Sequence, residues 1–168
     1  AELASETRRA TLHHTHPGRI SPYAVVMEGG DPGRVGSVRA ARGGVEDEGS
    51  QLVALVTGEA PVVGRDERWL DLCAGPGGKA ALLGALAAQR GATLVANEVT
   101  PHRAGLVKGS VHALPDGVVE VRCADGRTYG TDEPAAYDRV LVDAPCSGLG
   151  SLRRRPEARW RRTPSDVT

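Results

Sequence analysis

The sequence predicts an α/β protein whose core is a parallel sheet. From position 68 onward, short apolar runs alternate with helical stretches of about a dozen residues, as they do in repeated βαβ units. The chain has 168 residues, enough for one compact domain. Apolar residues make up 40% of it and charged residues 25%, which is the balance of a folded domain and not of a disordered chain.

Residues 1–45 are expected to be a lead-in segment, and residues 46–168 the main domain. Within the lead-in, Ala1–Leu12 has a helical composition and Val35–Ala40 alternates weakly, like a strand. Glu46–Thr57 predicts an amphipathic helix, because its apolar residues follow an acidic first turn. A helix therefore precedes the first strand of the predicted sheet.

Four strands are predicted, at 68–72, 93–97, 118–122 and 138–142. The helix between the first two is Lys79–Arg90, which stops at Gly91, a normal residue just past a helix end. The next helix starts at Thr100 and Pro101, an N-cap and a first-turn proline, and runs to about Leu114. Right-handed crossovers through such helices make the strands parallel and cover both faces of the sheet.

Several classes of protein are disfavoured. No run approaches the roughly 18 apolar residues of a membrane span, and no basic-then-apolar leader opens the sequence. The three cysteines lack CxxC spacing, which argues against a disulfide framework or structural zinc and favours a cytoplasmic protein. His13, His14 and His16 cluster without a second ligand group, so a solvated loop is favoured over a metal site.

An acidic residue falls in or just after each predicted strand: Asp71, Glu98, Asp125 and Asp143. Taken singly, such an acid is more often a helix cap or a turn residue. In an open parallel sheet, however, the ligand crevice lies outside the carboxyl ends of the strands, so these four acids would line one rim. The sequence therefore predicts a ligand site at this edge.

The turn after the first strand, residues 71–80, reads DLCAGPGGKA. Its glycines, Gly75, Gly77 and Gly78, would let the backbone approach a ligand and direct helix N–H groups toward it. It is not a P-loop, because Lys79 is followed by alanine, and it is a poor dinucleotide fingerprint, because the same alanine takes the place of the third glycine. The turn is predicted to be a cofactor cradle.

Two acids complete the predicted cofactor site. Glu98 lies 20 residues after Gly78, where a carboxylate that binds ribose hydroxyls belongs, so a nucleoside cofactor is expected. Asp125 is placed to reach the base of that cofactor or, with equal weight, to form an Asx turn with Gly126.

Cys146 lies in the turn after the fourth strand, DAPCSGLG, and is the candidate nucleophile. Cys123 is predicted to be a core residue of the third strand, and Cys73 lies in the cofactor loop. The last 18 residues contain six arginines and two acidic residues. Beside Trp160 such a cluster suits a polyanion, although on charge alone a solvated surface is favoured.

The loop DLCAGPGGKA followed by DAPCSGLGSLRRRPEARWRRTPSDV resembles the RNA cytosine-5 methyltransferases of the bacterial Fmu/Sun type, which are similar to the eukaryotic Nop2/Sun group. The segment EDEGSQLVA at 46–54 resembles the one that precedes the loop in that family. The resemblance covers about residues 45–168. It implies a Rossmann-like class I methyltransferase fold that binds S-adenosyl-L-methionine, with ribosomal RNA as the expected substrate.

The resemblance also implies roles for individual residues. Glu98 would bind the ribose, Asp125 would lie near the adenine, and Asp143 would contact the target cytosine beside the cofactor. Five arginines are expected to contact RNA: Arg153, Arg154, Arg155, Arg159 and Arg161. The methionine part of the cofactor would be held by Cys73, Ala74, Gly75, Pro76, Gly77, Gly78 and Lys79.

In this family two cysteines share the chemistry. The one in the Pro-Cys motif, matching Cys146, helps to release the product, and the attacking one lies in a later Thr-Cys motif. No Thr-Cys dipeptide follows Asp143 here, so the fold is expected to be interrupted after its fourth strand and the chain alone to make no 5-methylcytosine. The alternative is a non-catalytic module that binds S-adenosyl-L-methionine or RNA; a nicotinamide-dependent dehydrogenase is disfavoured by the broken glycine fingerprint.

Overall fold

The computed structural model describes residues 2–11, 14–146 and 160. Its strands, in chain order, are β1 (Thr15–Pro17), β2 (Val25–Met27), β3 (Arg68–Asp71), β4 (Thr93–Asn97), β5 (Val119–Arg122) and β6 (Arg139–Leu141). The last four form a parallel sheet in the order β5-β4-β3-β6, and β1 and β2 form a separate antiparallel pair. The predicted α/β class is confirmed, and so is each of the four predicted strands, to within about one residue at either end.

The helices are α1 (Glu2–Thr11), α2 (Gly36–Arg39), α3 (Glu48–Glu59), α4 (Gly78–Arg90), α5 (Pro101–Val111) and α6 (Tyr129–Asp132), with 3-10 turns at Pro32–Arg34 and Gly126–Thr128. The three helices predicted around the sheet are confirmed as α3, α4 and α5. Asp47 caps α3 by accepting a hydrogen bond from the Ser50 N–H at 3.2 Å. Gly91 ends α4 in the left-handed conformation, with φ of 70°.

The strand expected at Val35–Ala40 is wrong, because Gly36–Arg39 forms the short helix α2. The Ala40 N–H bonds to the Gly36 carbonyl at 2.9 Å, so the backbone is satisfied locally. The Glu6 carboxylate of α1 accepts hydrogen bonds from the Ser37 N–H, at 3.0 Å, and from the Ser37 hydroxyl. A carboxylate at a helix start stabilises the helical form over a weak alternation that has no neighbouring strand to pair with in the described residues.

The main core lies between the sheet and α3, α4 and α5, and its fully buried side chains include Trp69, Leu83, Leu94 and Val107. The opposite face of the sheet has a smaller cluster, in which Tyr129 of α6 packs with Leu70 and Val95. Apolar residues on both faces of β3 and β4 are typical of central parallel strands.

The lead-in segment is joined to α3 by hydrogen bonds. Glu48 accepts from the backbone N–H groups of Ile20, at 2.8 Å, and Ser21, at 3.0 Å. The Ser21 hydroxyl donates to the Gln51 amide oxygen at 2.6 Å. These hydrogen bonds cross the predicted domain boundary at residue 45. The boundary itself remains a prediction.

A buried arginine ties together the amino ends of the strands. Arg139, at the start of β6, pairs with both carboxylate oxygens of Asp66, at 2.7 and 2.6 Å, and donates to the carbonyls of Thr57 and Ala60. Its guanidinium lies 4.9 Å from the ring centroid of Trp69. The guanidinium thus makes four hydrogen bonds, two of them to a carboxylate, and this pairing compensates the buried charge.

Among the described residues, no helix is long and apolar enough to cross a membrane, and no three His, Cys, Asp or Glu side chains lie close enough to hold a metal. His13 and the five arginines expected to contact RNA lie outside the described residues. Trp160 is described and is 84% exposed.

Candidate cofactor site

The structure brings the four acids to the carboxyl edge of the sheet, as predicted. Asp71 is the last residue of β3, Glu98 follows β4, Asp125 lies beyond β5 and Asp143 lies beyond β6. Asp143 lies 3.0 Å from the Lys79 ammonium, and the same charge acts electrostatically on Asp71. Glu98 lies against Gly75 of the glycine loop, and Asp125 contacts its own turn.

The loop from Cys73 to Lys79 is built for close contacts. Gly77 has φ of +117°, and a Cβ atom there would lie 2.7 Å from Ser110, so glycine is required twice over. The peptide between Gly75 and Pro76 is cis. Gly77 supplies no side-chain cap to α4, so the first N–H groups of that helix donate no hydrogen bond to a side chain of the cap residue.

Glu98 is 97% buried and forms part of a closed cluster with the loop. One carboxylate oxygen accepts a hydrogen bond from the Thr100 N–H at 2.9 Å, and the other lies 3.5 Å from Arg103. The Arg103 guanidinium also donates to the Gly75 carbonyl at 2.6 Å. A Cβ atom at Gly75 would clash with the Glu98 carboxylate, so the loop and the acid can be adjacent only because residue 75 is glycine.

Lys79 is shared between carboxylates. Its ammonium lies 3.0 Å from Asp143 and 3.8 Å from Glu46, which immediately precedes the cap of α3. Burial raises the pKa of Glu46, and the Lys79 charge opposes that rise. The Lys79 charge also acts on Asp71, so three acidic side chains share the influence of one ammonium, and this charge balance favours a ligand with positively charged groups.

Asp71 is buried at 1% exposure, and neither carboxylate oxygen has a hydrogen-bond partner of ordinary geometry in the described part of the chain. Burial raises its pKa to about 7, and the neighbouring charges of Asp143 and Glu46 add to the rise. Lys79 and the backbone N–H of Cys73 act in the opposite direction. A buried acid whose oxygens lack hydrogen bonds of ordinary geometry costs stability, and such costs concentrate at binding sites.

Asp125 forms a turn, which is one of the two roles that the sequence analysis predicted for it with equal weight; the other is contact with the base of the cofactor. Its carboxylate accepts from the Arg127 N–H at 3.0 Å and pairs with the Arg127 guanidinium at 2.6 Å. These hydrogen bonds hold the pKa of Asp125 down at about 2. Contact between Asp125 and a cofactor base remains a prediction.

The cysteines differ in exposure. Cys123 is exposed, so its assignment to the core is wrong: β5 is an edge strand and ends at Arg122, one residue earlier. Cys73 is half-buried, and burial, followed by the nearby carboxylates, raises the pKa of its thiol. Cys146 is exposed at the end of the described stretch.

Sequence reasoning missed three residues of this edge: Arg103, Glu46 and Asn97. Arg103 is signalled only by its place in the first turn of a helix that starts beside Glu98. Glu46 lies in the segment 46–54 that carried part of the family resemblance. Asn97 has no sequence signal, since it reads as one polar residue at the end of an apolar strand.

A parallel sheet with a glycine loop after its first strand and a carboxylate after its second defines a Rossmann-like protein with a nucleoside-cofactor site. The family model for 16S rRNA methyltransferase RsmB/F matches residues 62–168. The chain belongs to this family, whose members are S-adenosyl-L-methionine-dependent methyltransferases.

Two relatives agree with this assignment. A protein of Mycobacterium tuberculosis strain H37Rv that is named as a methyltransferase is 58% identical over 150 residues, 89% of this chain and 32% of that protein. The ribosomal RNA small subunit methyltransferase F of Serratia proteamaculans is 33% identical over 176 aligned positions, 98% of this chain and 36% of that protein. The chain spans about a third of the length of these relatives.

Two solved structures have a fold similar to that of this chain. The crystal structure of PH0851 has a TM-score of 0.82 at 23% identity, covering 99% of this chain and 37% of that one. NSun6 from Pyrococcus horikoshii, with SFG, has a TM-score of 0.67 at 21% identity, covering 86% and 36%. The Rossmann-like methyltransferase fold is therefore confirmed.

The buried carboxyl of Asp71 predicts an unusual pH dependence of stability. The pKa of Asp71 in the folded state, about 7, lies above its value in the unfolded state. Its contribution to the free energy of unfolding is therefore complete below about pH 4 and is lost as the pH rises through about 7. Asp71→Asn should therefore gain stability relative to the wild type as pH rises, on the order of 2–4 kcal/mol between about pH 4 and pH 8. Urea unfolding at several pH values measures this gain.

Asp138→Asn is the matched control with the opposite sign. Backbone N–H groups of Arg68 and Glu67 lower the pKa of Asp138, so its contribution is present above the unfolded pKa and lost at acid pH. That variant should lose stability relative to the wild type as the pH rises through the acid range to about 4, and the difference should then stay constant up to about pH 8. Equal effects of Asp71→Asn at both ends of the pH range would contradict the assignment of a raised pKa to Asp71.

Proposed function

We propose that this chain binds S-adenosyl-L-methionine at the carboxyl edge of its sheet and that the protein methylates carbon 5 of a cytosine in ribosomal RNA. The observation that carries the proposal is the 3.0 Å ion pair between Lys79 and Asp143. It joins the glycine loop to the turn that contains Cys146, so a methyl donor in the loop and a base at the turn would meet. The relatives' names as ribosomal RNA methyltransferases support RNA as the substrate class.

The residues of the edge fit this cofactor. The carboxylate of S-adenosyl-L-methionine can accept hydrogen bonds from the N–H groups at the start of α4, since helix N-termini bind phosphates and carboxylates. Its ammonium and sulfonium charges suit the excess of carboxylates formed by Glu46, Asp71 and Asp143 around Lys79. When bound, the cofactor supplies the methyl group.

Carbon 5 of cytosine is a poor nucleophile until a thiolate adds to carbon 6, which makes the ring enamine-like. Carbon 5 would then take the methyl group and lose its proton, and the bond between carbon 6 and sulfur would break to release the thiolate. Asp143, with its side chain 54% exposed, can accept a hydrogen bond from the base while Lys79 holds the carboxylate in place. We assign product release to Cys146, which lies three residues further along the same turn. The family resemblance assigns attack to the cysteine of a Thr-Cys motif, and the 168 residues contain no Thr-Cys dipeptide.

Glu98 gives the most direct test of cofactor binding. Losing a charge-assisted pair of ribose hydrogen bonds in Glu98→Ala should weaken binding of S-adenosyl-L-methionine by about 1.5–3 kcal/mol, measured by calorimetry at a temperature where the variant is folded. Glu59→Ala, an exposed residue at the end of α3, is the control and should bind normally. Unchanged affinity in Glu98→Ala would remove the ribose assignment.

The arginine cluster is proposed to contact RNA phosphates. If about four arginines are engaged, the logarithm of affinity should fall with the logarithm of salt concentration at a slope near −3, about −0.7 per contact for single strands. Replacing Arg153, Arg154 and Arg155 by alanine should flatten that slope, measured by filter binding. A slope that the triple variant leaves unchanged would mean that the cluster does not touch RNA.

Cys146 gives the test of the chemistry, in a chain that contains both the Pro-Cys and the Thr-Cys motifs. Addition and methyl transfer should proceed in Cys146→Ala while elimination stalls, so labelled RNA should remain on the protein in a denaturing gel. Cys123→Ala, at an exposed position outside the loop, is the control and should release RNA normally. Loss of methyl transfer without a trapped adduct would show that Cys146 itself attacks the ring.

A further inference from the structure

Asn97 is the only asparagine of the chain and ends β4, at 1% exposure. Because β4 lies between β3 and β5, its last residue stands at the middle of the edge where the cofactor loops emerge. A primary amide in such a position must find partners for two N–H donors and two acceptor sites, or its burial costs stability.

The Asn97 side chain finds all four partners. Its amide nitrogen donates to the carbonyls of Leu72 and Ala124, each at 3.1 Å. Its amide oxygen accepts from the Ala124 N–H and the Tyr129 hydroxyl, also at 3.1 Å each. The backbone carbonyl of Asn97 accepts a fifth hydrogen bond, from the Ala74 N–H at 2.7 Å.

These partners belong to separate turns of the site. Leu72 and Ala74 flank the start of the glycine loop, Ala124 immediately precedes Asp125, and Glu98 follows Asn97 itself. We infer that Asn97 is a positioning residue that sets the distance between the glycine loop and the Asp125 turn, and so fits the site to a ligand that spans both. The inference rests on the proposed function of these turns in binding S-adenosyl-L-methionine.

The chemistry of the side chain explains why an amide is needed. An aspartate has nearly the same shape, but the oxygen in place of the amide nitrogen would face the carbonyls of Leu72 and Ala124 and could not donate to them. Leucine would leave those carbonyls and the Ala124 N–H without side-chain partners. Tyr129→Phe, by contrast, removes one of the four hydrogen bonds and keeps the three that join the turns.

The test compares a ligand that spans both turns with one that does not. In Asn97→Asp the affinity for S-adenosyl-L-methionine, measured by calorimetry on the folded chain, should fall by about tenfold or more, as expected when buried hydrogen bonds are lost. The affinity for adenosine alone, which lacks the methionine part proposed to occupy the glycine loop, should fall by clearly less. Tyr129→Phe should retain nearly all of the affinity for S-adenosyl-L-methionine.

Arg139→Lys is the control for general destabilisation, because it weakens the buried pair at the opposite edge of the sheet. It should lower the urea midpoint and leave both affinities unchanged. The inference is overturned if Asn97→Asp binds S-adenosyl-L-methionine like the wild type, or if its affinities for both ligands fall equally. Failure of the wild-type chain to bind S-adenosyl-L-methionine would overturn the proposed function and, with it, this inference.

Discussion

The buried amide of Asn97 holds together the turns from which the cofactor site is built. Parallel strands end side by side, and the loops that follow them do not continue the hydrogen bonds between strands. The first carbonyl and N–H groups of each loop therefore need other hydrogen-bond partners. Asn97 satisfies them for Leu72 and Ala124, one on each side of β4. Each such hydrogen bond contributes about 1 kcal/mol to stability, while a buried polar group without a partner costs about 1–3 kcal/mol. The complete set of hydrogen bonds is therefore more stable than any set with one partner missing.

The two edges of the sheet treat buried charge in opposite ways. At the amino edge, the buried Arg139 pairs with the half-buried Asp66 through two hydrogen bonds and lies over the ring of Trp69, which compensates the burial of its charge. At the carboxyl edge, Asp71 is as buried but unsatisfied in the described part of the chain, and Lys79 is shared between acids. The fold therefore places its compensated charges where they stabilise structure and its uncompensated ones where a ligand can bind.

Local signals were enough for the sheet and its loop. Apolar runs fixed β3 to β6, and a proline and a glycine marked the start of α5 and the end of α4. Local patterns could not predict long-range effects. Cys123 is exposed because β5 lies at the edge of the sheet. Residues 36–39 form α2 and not the predicted strand, because Glu6 of another helix accepts a hydrogen bond from Ser37. The partners of Asn97 likewise depend on the order of the strands, which no local pattern contains.

The central claim is that the carboxyl edge is a preorganised S-adenosyl-L-methionine site. Titrating the isotopically labelled chain with S-adenosyl-L-methionine and following the backbone amides by NMR tests it directly. We expect saturable shifts for the amides of the glycine loop from Cys73 to Lys79, of Glu98 and of Asp125, with the amides around Asp66 and Arg139 unmoved. Shifts centred on the Asp66–Arg139 edge, or none at a saturating concentration, would contradict the account.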